Sequence, residues 1–266
     1  MIYYKGSTAD CSLNVVRAGR REKPLVVFVH AVGMDLTYWG HQIEALETDY
    51  DVVAYDLRGH GSSTICGTYD FPALANDLAC VVAQAQNGPA HVVGLSVGGM
   101  IAQTFALSRP DLVRSLTLID TAATFSDQVR SLLRARADTV RFSGMGAIVR
   151  PTLDRWFTAD FAARRPDAID RVAKTLISTD ARVHAAMWDT IATLDIAPAL
   201  HALSVPALVL VGEKDPTTPP DAGRLIAERI RQGRFSILPG VSHISPLEAP
   251  NLVNRELLEF LGTGWG

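Results

Sequence analysis

The feature that most constrains this chain is the alternation of short, mainly apolar runs with longer segments of helical periodicity. The runs Leu25–Val29 and Asp51–Tyr55 are rich in β-branched and aromatic residues, without a regular polar and apolar alternation. Such runs are typical of strands covered on both faces, as in a parallel sheet. Parallel strands need long crossover connections, which the helical segments between the runs can provide. The sequence therefore predicts an α/β fold built on a mostly parallel sheet.

The same pattern extends along the chain. Residues 1–18 alternate polar and apolar positions around a polar turn, which predicts two short strands. Six further strands are predicted at residues 25–29, 51–55, 91–93, 115–119, 207–211 and 235–238. Helices are predicted at residues 35–46, 71–85, 97–108, 221–231 and 247–261. We expect an eight-stranded sheet with helices flanking it.

The alternation breaks in residues 124–195, where helical periodicity continues without a convincing strand. We predict a core domain formed by residues 1–123 and 196–266. Residues 124–195, called the cap segment below, are predicted to be a helical cap inserted after the sixth strand. Ligands of open parallel sheets bind at the carboxyl ends of the strands, so an insertion at this point would cover that edge.

The composition excludes several classes of protein. A chain of 266 residues with 48% hydrophobic residues is typical of a globular protein, and its formal charge of −3 gives no reason to expect nucleic acid. The apolar runs are too short to cross a bilayer, and the first residues lack the hydrophobic region of a signal peptide. The three cysteines leave one unpaired in any disulfide scheme and favour a reducing compartment, so we expect a cytoplasmic protein. The sequence leaves open whether the chain forms a homo-oligomer.

Residues 94–98, Gly-Leu-Ser-Val-Gly, lie between the predicted strand at 91–93 and the predicted helix at 97–108. Small residues on both sides of Ser96 suit a tight strand-to-helix corner that exposes the serine hydroxyl. The helix amino terminus adds free N–H groups and a positive dipole end, which favour attack on a carbonyl carbon. The pattern arises by chance in about one in ten chains of this length, so an ordinary turn serine is the alternative.

Two residues at other strand ends supply what a nucleophilic serine needs. Asp215 follows the strand at 207–211 and His243 follows the strand at 235–238, and the carboxyl ends of parallel strands converge. Acyl transfer requires a nucleophile, a base within hydrogen-bond reach and a carboxylate that orients the base. The chain order serine, aspartate, histidine is the one expected for such a corner. Glu213 and Asp120 are alternative acids, because both also follow strands.

A tetrahedral oxyanion needs two N–H donors. The N–H group of Val97, directly after Ser96, is the first candidate, and that of Val32, in the loop after Leu25–Val29, is the second. We expect His30 to anchor that loop by hydrogen bonding. Seven scattered histidines without metal-ligand spacing, and the absence of a phosphate-binding glycine motif, predict no metal and no cofactor.

Taken together, these segments resemble the α/β-hydrolase superfamily over essentially the whole chain. The resemblance lies in residues 30–33, 56–62, 94–99, 212–219 and 240–243, which occur in the family's order and spacing. It implies that Ser96 is the nucleophile, Asp215 the acid and His243 the base. It also implies that Val32 and Val97 form the oxyanion hole. The chain departs from the family at Ala31, where glycine is usual; alanine supplies the same N–H if its φ is negative.

Within the superfamily the chain most resembles the 3-oxoadipate enol-lactonases, which act in the degradation of aromatic compounds. This narrower resemblance lies in residues 120–123, 155–161 and 242–245. Related families hydrolyse other lactones and esters, and some act as haloperoxidases or perhydrolases with the same three residues. The resemblance implies a small lactone or ester as the partner.

The cap segment is expected to recognise the substrate. An apolar lining and a cation would suit a small acidic lactone. The substrate-binding residues predicted in the cap segment are Trp156, Arg130, Arg134, Met145 and Trp188. Further candidates are Phe157, Met187, Arg136 and Arg141. The alternatives stay open, because surface arginines are usually solvated and Trp156 fits the interior of the cap segment equally well.

The sequence thus predicts a serine hydrolase that opens a small lactone through an acyl-enzyme, with 3-oxoadipate enol-lactone as the expected substrate. The alternatives are hydrolysis of another carboxylic ester, of an acyl-homoserine lactone or of a C–C bond, and a ligand-binding protein without turnover. A dehalogenase is excluded, because its nucleophile is an aspartate and this chain has Ser96.

Overall fold

The computed structural model describes residues 1–263 and contains an eight-stranded sheet in the order β1-β2-β4-β3-β5-β6-β7-β8. The strands are β1 Ile2–Ser7, β2 Ser12–Gly19, β3 Leu25–Val29, β4 Asp51–Tyr55, β5 Ala90–Leu95, β6 Val113–Ile119, β7 Ala207–Gly212 and β8 Gly233–Leu238. β2 pairs antiparallel with β1 and β4, and all other neighbours are parallel. The predicted mostly parallel sheet of eight strands is confirmed.

Helices flank this sheet and also form the cap segment. Six α-helices belong to the sheet: α1 Gly40–Leu46, α2 Phe71–Ala85, α3 Val97–Ser108, α9 Pro220–Arg229, α10 Ser245–Glu248 and α11 Pro250–Leu261. Five lie between β6 and β7: α4 Asp127–Ser143, α5 Gly146–Trp156, α6 Ala159–Arg164, α7 Pro166–Ser178 and α8 Ala181–Ile191. No strand is assigned to the cap segment, although a single β-bridge joins Thr124 to Asp195 at its two ends.

Two predicted helices differ from the structure at their ends. The helix predicted at 35–46 starts as a 3₁₀ turn, Leu36–Trp39, before α1 begins. The closing helix predicted at 247–261 is broken at Ala249, which has φ −138° and ψ 60° and ends α10. Pro250 causes the break, because it lacks an N–H donor and disfavours the helical conformation of the preceding residue.

The strands bury both of their faces, which explains their unbroken apolar runs. Every residue of β3 is buried. Its alternate side chains enter two separate hydrophobic clusters: Val27 packs with the α2 and α3 side, and Phe28 packs with Trp39 and Ile43 on the opposite side. Because side chains alternate along a strand, one run of apolar residues serves two helical layers.

Cys11 and Cys66 form a disulfide that joins the β1–β2 turn to the loop after β4, with Cα atoms 5.7 Å apart, and Cys80 is free. Disulfides are rare in reducing compartments, so the cytoplasmic location stays a prediction. The same loop contains Arg58, whose guanidinium makes two hydrogen bonds of 2.7 Å with the buried Asp77 carboxylate. Within residues 1–263, no helix is both long and apolar enough to span a membrane.

Candidate active site

Ser96 lies at a strained corner between β5 and α3, with φ 54° and ψ −118°. The chain can turn here because its neighbours are glycines. A Cβ atom at Gly94 would lie 2.4 Å from the carbonyl oxygen of Gly98, and one at Gly98 would lie 2.1 Å from that of Val29. The Ser96 amide donates a 2.9 Å hydrogen bond to the carbonyl oxygen of Ile119 on β6. Backbone sterics therefore fix the nucleophile candidate in a conformation that is rare outside functional sites.

The structure brings the three predicted residues into one hydrogen-bonded row. Ser96 Oγ lies 3.1 Å from Nε2 of His243, and Nδ1 of His243 lies 2.8 Å from Oδ2 of Asp215. All three side chains are buried. Asp215 follows β7 and His243 follows β8, so two loops from neighbouring strands meet at the end of β5. The arrangement allows proton transfer from the serine hydroxyl to the imidazole.

Further donors hold the Asp215 carboxylate in place. Its Oδ1 accepts the backbone N–H groups of Thr217 and Thr218 at 2.7 and 3.1 Å, and its Oδ2 accepts the Thr218 hydroxyl at 2.8 Å. Burial alone would raise the pKa of Asp215, but His243 and these hydrogen bonds lower it below the ordinary value. Burial likewise opposes the charged form of His243, yet the Asp215 carboxylate raises the pKa of that imidazole. The pair therefore favours an anionic aspartate that stabilises an imidazolium.

The two alternative acids occupy other positions. Glu213 is exposed and accepts the backbone N–H of Gly240 at 2.8 Å. Asp120 is fully buried and accepts backbone N–H groups from Gly212 and Ser245. Among the described residues, Asp215 is the carboxylate that contacts the His243 ring.

The loop after β3 lies against the start of α3. A Cβ atom at Gly98 would approach the carbonyl oxygen of His30 to 2.9 Å. Val97 is the first residue of α3, so its N–H has no partner within the helix. His30 anchors the loop, because its Nε2 accepts the N–H of Leu57 at 2.9 Å and its Nδ1 lies 2.8 Å from the carbonyl oxygen of Ala31. The oxyanion role of Val32 and Val97 stays a prediction.

Ala31 does not need the freedom of the glycine usual in the family. In the described part of the chain, non-glycine residues with positive φ are Gln86, Ser96 and Asp120. Ala31 therefore has a backbone conformation that suits an L-residue, and its Cβ is compatible with the loop.

A cavity of about 430 Å³ opens beside Ser96, between the sheet and the cap segment. Its lining includes Met100, Val129, Leu133, Arg136, Arg155 and Trp188. The walls are mainly apolar, with two arginines from the cap segment. Such a cavity suits a small molecule with an acidic group.

Trp188 lines the cavity, whereas four of the predicted substrate-binding residues do not. Arg130 donates to the carbonyl oxygens of Phe125, Ala192 and Leu194 and so joins the two ends of the cap segment. Arg134 is exposed, and Met145 is buried in the hydrophobic core. Trp156 is buried with its ring 6.2 Å from the His243 ring, so it packs behind the site.

Arg136 is the arginine of α4 that reaches the cavity. Its guanidinium lies 4.6 Å from the centre of the Trp188 ring and donates to the hydroxyl of Thr152. Its Nε is buried and has no hydrogen-bond partner among the described residues. Burial, followed by the charge of Arg155, lowers the pKa of Arg136 to about 10. The cavity therefore contains a desolvated cation without a carboxylate partner in residues 1–263.

The helical spacing of α4 contains the signal that separates Arg136 from its neighbours. Val129, Leu133 and Arg136 are four and then three positions apart, so they share one face of the helix, and all three line the cavity. Arg130 and Arg134 are shifted from that stripe. Its position within this stripe distinguishes Arg136 from the other arginines of α4.

The comparisons with known proteins agree with this arrangement. The α/β-hydrolase-fold family profile matches residues 24–250. The chain is 31% identical to 3-oxoadipate enol-lactonase 2 of Acinetobacter baylyi over 247 residues, covering 92% of this chain and 91% of the relative.

Two solved structures show the same likeness. The enol-lactonase from Burkholderia xenovorans matches with a TM-score of 0.88 and 30% identity, covering 94% of this chain and 96% of that one. A malate-bound esterase from Thermogutta terrifontis matches with a TM-score of 0.90 and 31% identity, covering 98% of both chains. With the profile match, the parallel sheet and the strained serine corner, these likenesses show that the chain belongs to the α/β-hydrolase family.

Proposed function

We propose that this chain is a serine hydrolase that opens a small lactone or ester through an acyl-enzyme. The observation that carries the proposal is the hydrogen-bonded row of Ser96, His243 and Asp215, with the serine held at a strained corner. The row supplies a nucleophile, a base and a carboxylate that keeps the base in the required tautomer.

The first half of the reaction follows from this row. Ser96 Oγ attacks the carbonyl carbon while His243 Nε2 takes the hydroxyl proton. The Asp215 carboxylate accepts the Nδ1–H bond and stabilises the imidazolium that forms. The N–H groups of Val32 and Val97 stabilise the oxyanion. The tetrahedral intermediate then collapses, and the ring oxygen of a lactone leaves with the proton from His243.

The second half releases the acid. Water gives its proton to His243 and attacks the acyl carbon, and the new tetrahedral intermediate expels Ser96 Oγ, which takes the proton back. Because the leaving group of a lactone stays attached to the acyl chain, the product is one open-chain acid. Residues of the cap segment shield the acyl-enzyme from bulk water during this step.

We further propose that the substrate carries a carboxylate, with 3-oxoadipate enol-lactone as the leading candidate. Arg136 and Arg155 line the cavity beside Ser96, and the Arg136 guanidinium has no carboxylate partner among the described residues. A substrate carboxylate would compensate the desolvation of this cation. The enol-lactonase relatives and the malate-bound esterase relative support an acidic substrate.

A neutral small ester is the second candidate, and the apolar part of the cavity favours it. Met100, Leu133 and Ile191 offer no hydrogen-bonding group to a substrate. The esterase relative is as similar to this chain as the enol-lactonases are. A neutral ester would leave Arg136 without a partner in the complex.

The reaction class is tested by hydrolysis of 3-oxoadipate enol-lactone and of 4-nitrophenyl acetate. We expect Ser96→Ala to lose at least about 10³-fold in kcat on either substrate. Ser131→Ala, which removes an exposed hydroxyl on α4, serves as the control and keeps full activity. Full activity of Ser96→Ala would refute the mechanism.

The substrate class is tested by Arg136→Met, with Arg134→Met as the matched control on the exposed face of α4. If Arg136 binds a carboxylate, its loss raises KM for the acidic lactone about 10- to 100-fold and leaves KM for the neutral ester nearly unchanged. Equal effects on both substrates would favour the neutral ester and remove the support for an acidic one.

A further inference from the structure

Asp120 is a buried carboxyl group that the reaction above does not use. It directly follows β6 and is fully buried, with φ 46°. Its Oδ1 accepts the backbone N–H of Gly212 at 2.8 Å, and its Oδ2 accepts the backbone N–H of Ser245 at 3.1 Å. Among the described residues no cation forms an ion pair with it.

The two N–H donors belong to the loops that carry the acid and the base. Gly212 ends β7 three positions before Asp215, and Ser245 lies two positions after His243. The loops also touch directly, because the N–H of Lys214 donates to the carbonyl oxygen of Val241 at 2.8 Å. One carboxyl group at the end of β6 therefore bridges the loop of Asp215 and the loop of His243.

We propose that Asp120 is a positioning residue that sets the distance and orientation of His243 relative to Asp215. The inference rests on the serine hydrolase mechanism proposed above. Asp120 makes no hydrogen bond to the His243 ring in the described part of the chain and contacts the two loops through the backbone N–H groups of Gly212 and Ser245. Its charge also contributes to the raised pKa of His243.

The chemistry of the position explains why a carboxyl group stands here. Both partners are N–H donors, so both side-chain oxygens have to accept, and an asparagine would turn an NH₂ group towards one of the two donors. Burial, together with the Asp215 carboxylate, raises the pKa of Asp120 to about 7, so a carboxyl at this position is unfavourable in itself. The two hydrogen bonds and the nearby His243 offset only part of this penalty, and the hydrogen bonds connect both loops to Asp120.

The geometry of the row makes this positioning important. His243 Nε2 lies 3.1 Å from Ser96 Oγ, at the limit of a good hydrogen bond, so a small rotation of the imidazole breaks the contact. A displacement of about 1 Å at a reacting group can lower a rate about 100-fold. Release of either N–H from Asp120 removes one of the hydrogen bonds that hold these two loops, and we expect a shift of the His243 ring on this scale.

The test compares Asp120→Asn and Asp120→Ala with the wild type by the rate at which a fluorophosphonate labels Ser96, corrected for the folded fraction. We expect Asp120→Asn to label about 10- to 100-fold more slowly and Asp120→Ala to label more slowly still. In hydrolysis we expect kcat to fall by a similar factor with KM little changed, because the cavity walls stay in place.

A second measurement does not depend on turnover. The proton in the His243–Asp215 hydrogen bond gives a low-field proton NMR signal, assigned by its absence in His243→Ala. We expect Asp120→Asn to shift or broaden this signal. The signal keeps the proposal testable even if Asp120→Ala does not fold.

Asp56→Asn is the matched control. Asp56 is also buried, and its carboxylate accepts the backbone N–H groups of Leu36 and Ser62, each at 2.8 Å, away from the acid and base loops. We expect this variant to lose stability but to keep the labelling rate and the low-field signal.

The outcomes separate the two proposals. Wild-type protein that fluorophosphonate does not label would refute the serine hydrolase mechanism, and the NMR signal would still report on the loops. Labelled wild type with an unchanged rate and signal in Asp120→Asn would refute the positioning role. The positioning role would also be refuted if Asp120→Asn lost stability but kept both the labelling rate and the low-field signal of the wild type.

Discussion

The two walls of the cavity are built on different principles. On the sheet side, the Ser96 corner leaves no room for a side chain at Gly94 or Gly98, because a Cβ atom there would lie less than 2.5 Å from a backbone oxygen. Buried hydrogen bonds fix the two loops that complete the row. On the cap side, the wall consists of side chains that project from α4 and α8, such as Arg136 and Trp188. In the proposed mechanism, reactivity therefore depends on backbone geometry, which tolerates little change. Recognition depends on side chains, which can be exchanged one at a time.

The two walls meet at the loop of His243. Glu248 on α10 accepts the backbone N–H of Ser242 at 3.0 Å and also accepts hydrogen bonds from Thr158 in the cap segment. The Ser242 hydroxyl donates to the carbonyl oxygen of Arg155 at 3.2 Å. The base is therefore held from the sheet side by Asp120 and from the cap side by Glu248.

The largest expected contrast between the walls is in catalysis. His243→Gln should lower kcat about 10³- to 10⁴-fold, because no other group takes the serine proton. Trp188→Phe, on the cap wall, should change kcat less than about tenfold and act mainly on KM, because the ring under Arg136 is retained. Steady-state kinetics on one substrate measures both. A loss of kcat in Trp188→Phe comparable to that in His243→Gln would break the contrast.

The second contrast is in stability, between two glycines. Gly98→Ala should destabilise by at least about 3 kcal/mol, because the new methyl group would meet the carbonyl oxygen of Val29, or it should prevent folding. Gly146→Ala, at the start of α5, meets no atom within 4 Å and should be neutral or stabilising by about 0.5 kcal/mol. Urea unfolding at one pH measures the difference. Equal stabilities would show that the corner can relax.

A smaller effect is expected where the cap segment is attached. Arg130→Met removes hydrogen bonds to three backbone carbonyl oxygens and should cost about 1–3 kcal/mol. Arg150→Met, which removes an exposed ion pair with Asp154, should cost less than about 1 kcal/mol. Measured by hydrogen exchange, the loss of amide protection in Arg130→Met should be confined to α4 and α8. An even loss over the sheet would mean that the two walls unfold as one unit.

The smallest effect concerns pH. Burial lowers the pKa of His91 in β5 to about 4 and that of His184 in α8 to about 3. Both groups have depressed pKa values in the folded state, so the stability they confer is present above about pH 6.5, the ordinary histidine pKa, and is lost as the pH falls.

At pH 5.5 each buried histidine should lower the unfolding free energy by roughly 1 kcal/mol relative to pH 7.5. His91→Gln and His184→Gln should each flatten this pH dependence, as measured by urea unfolding at several pH values. Gly146→Ala is the control, since it shifts the curve without changing its slope. Hydrogen exchange at the same pH values locates the effect. If His184→Gln reduces the pH dependence of exchange only for amides of the cap segment, that segment opens at acid pH before the sheet does.

The sheet and the row of reactive residues were predictable because their signals are local. Unbroken runs such as Leu25–Val29 identify buried strands, and glycines beside Ser96 identify a corner that no larger residue could form. The parallel topology then brings Asp215 and His243 to the same edge. The preference for Asp215 over Asp120 agrees with the 2.8 Å distance between Asp215 Oδ2 and His243 Nδ1. Both acids follow strands, and they differ in what their side chains contact, since Asp120 accepts backbone N–H groups such as that of Gly212.

The cap side was harder to predict, because several arginines on one helix look alike in sequence. Arg130 was predicted to bind substrate, yet it contacts backbone carbonyl groups that lie 62 and 64 positions away in the chain. The turn at Ala249 was missed as well, although Pro250 was a sufficient signal. The position of Arg130 depends on contacts between distant segments of the chain, which helical periodicity does not predict.

The bridge between Thr124 and Asp195 has a consequence for how such chains diversify. The two ends of the cap segment leave and re-enter the sheet side by side, and the Thr124 hydroxyl donates to the Asp195 carboxylate at 2.8 Å. The residues between them can vary in length without moving β6 or β7, as is usual for insertions with adjacent ends, provided that the contacts of Thr158 with Glu248 and of Arg155 with Ser242 are kept. We expect a graft that keeps these residues to replace the cap wall of the cavity as a single module, while the strained serine corner is inherited unchanged.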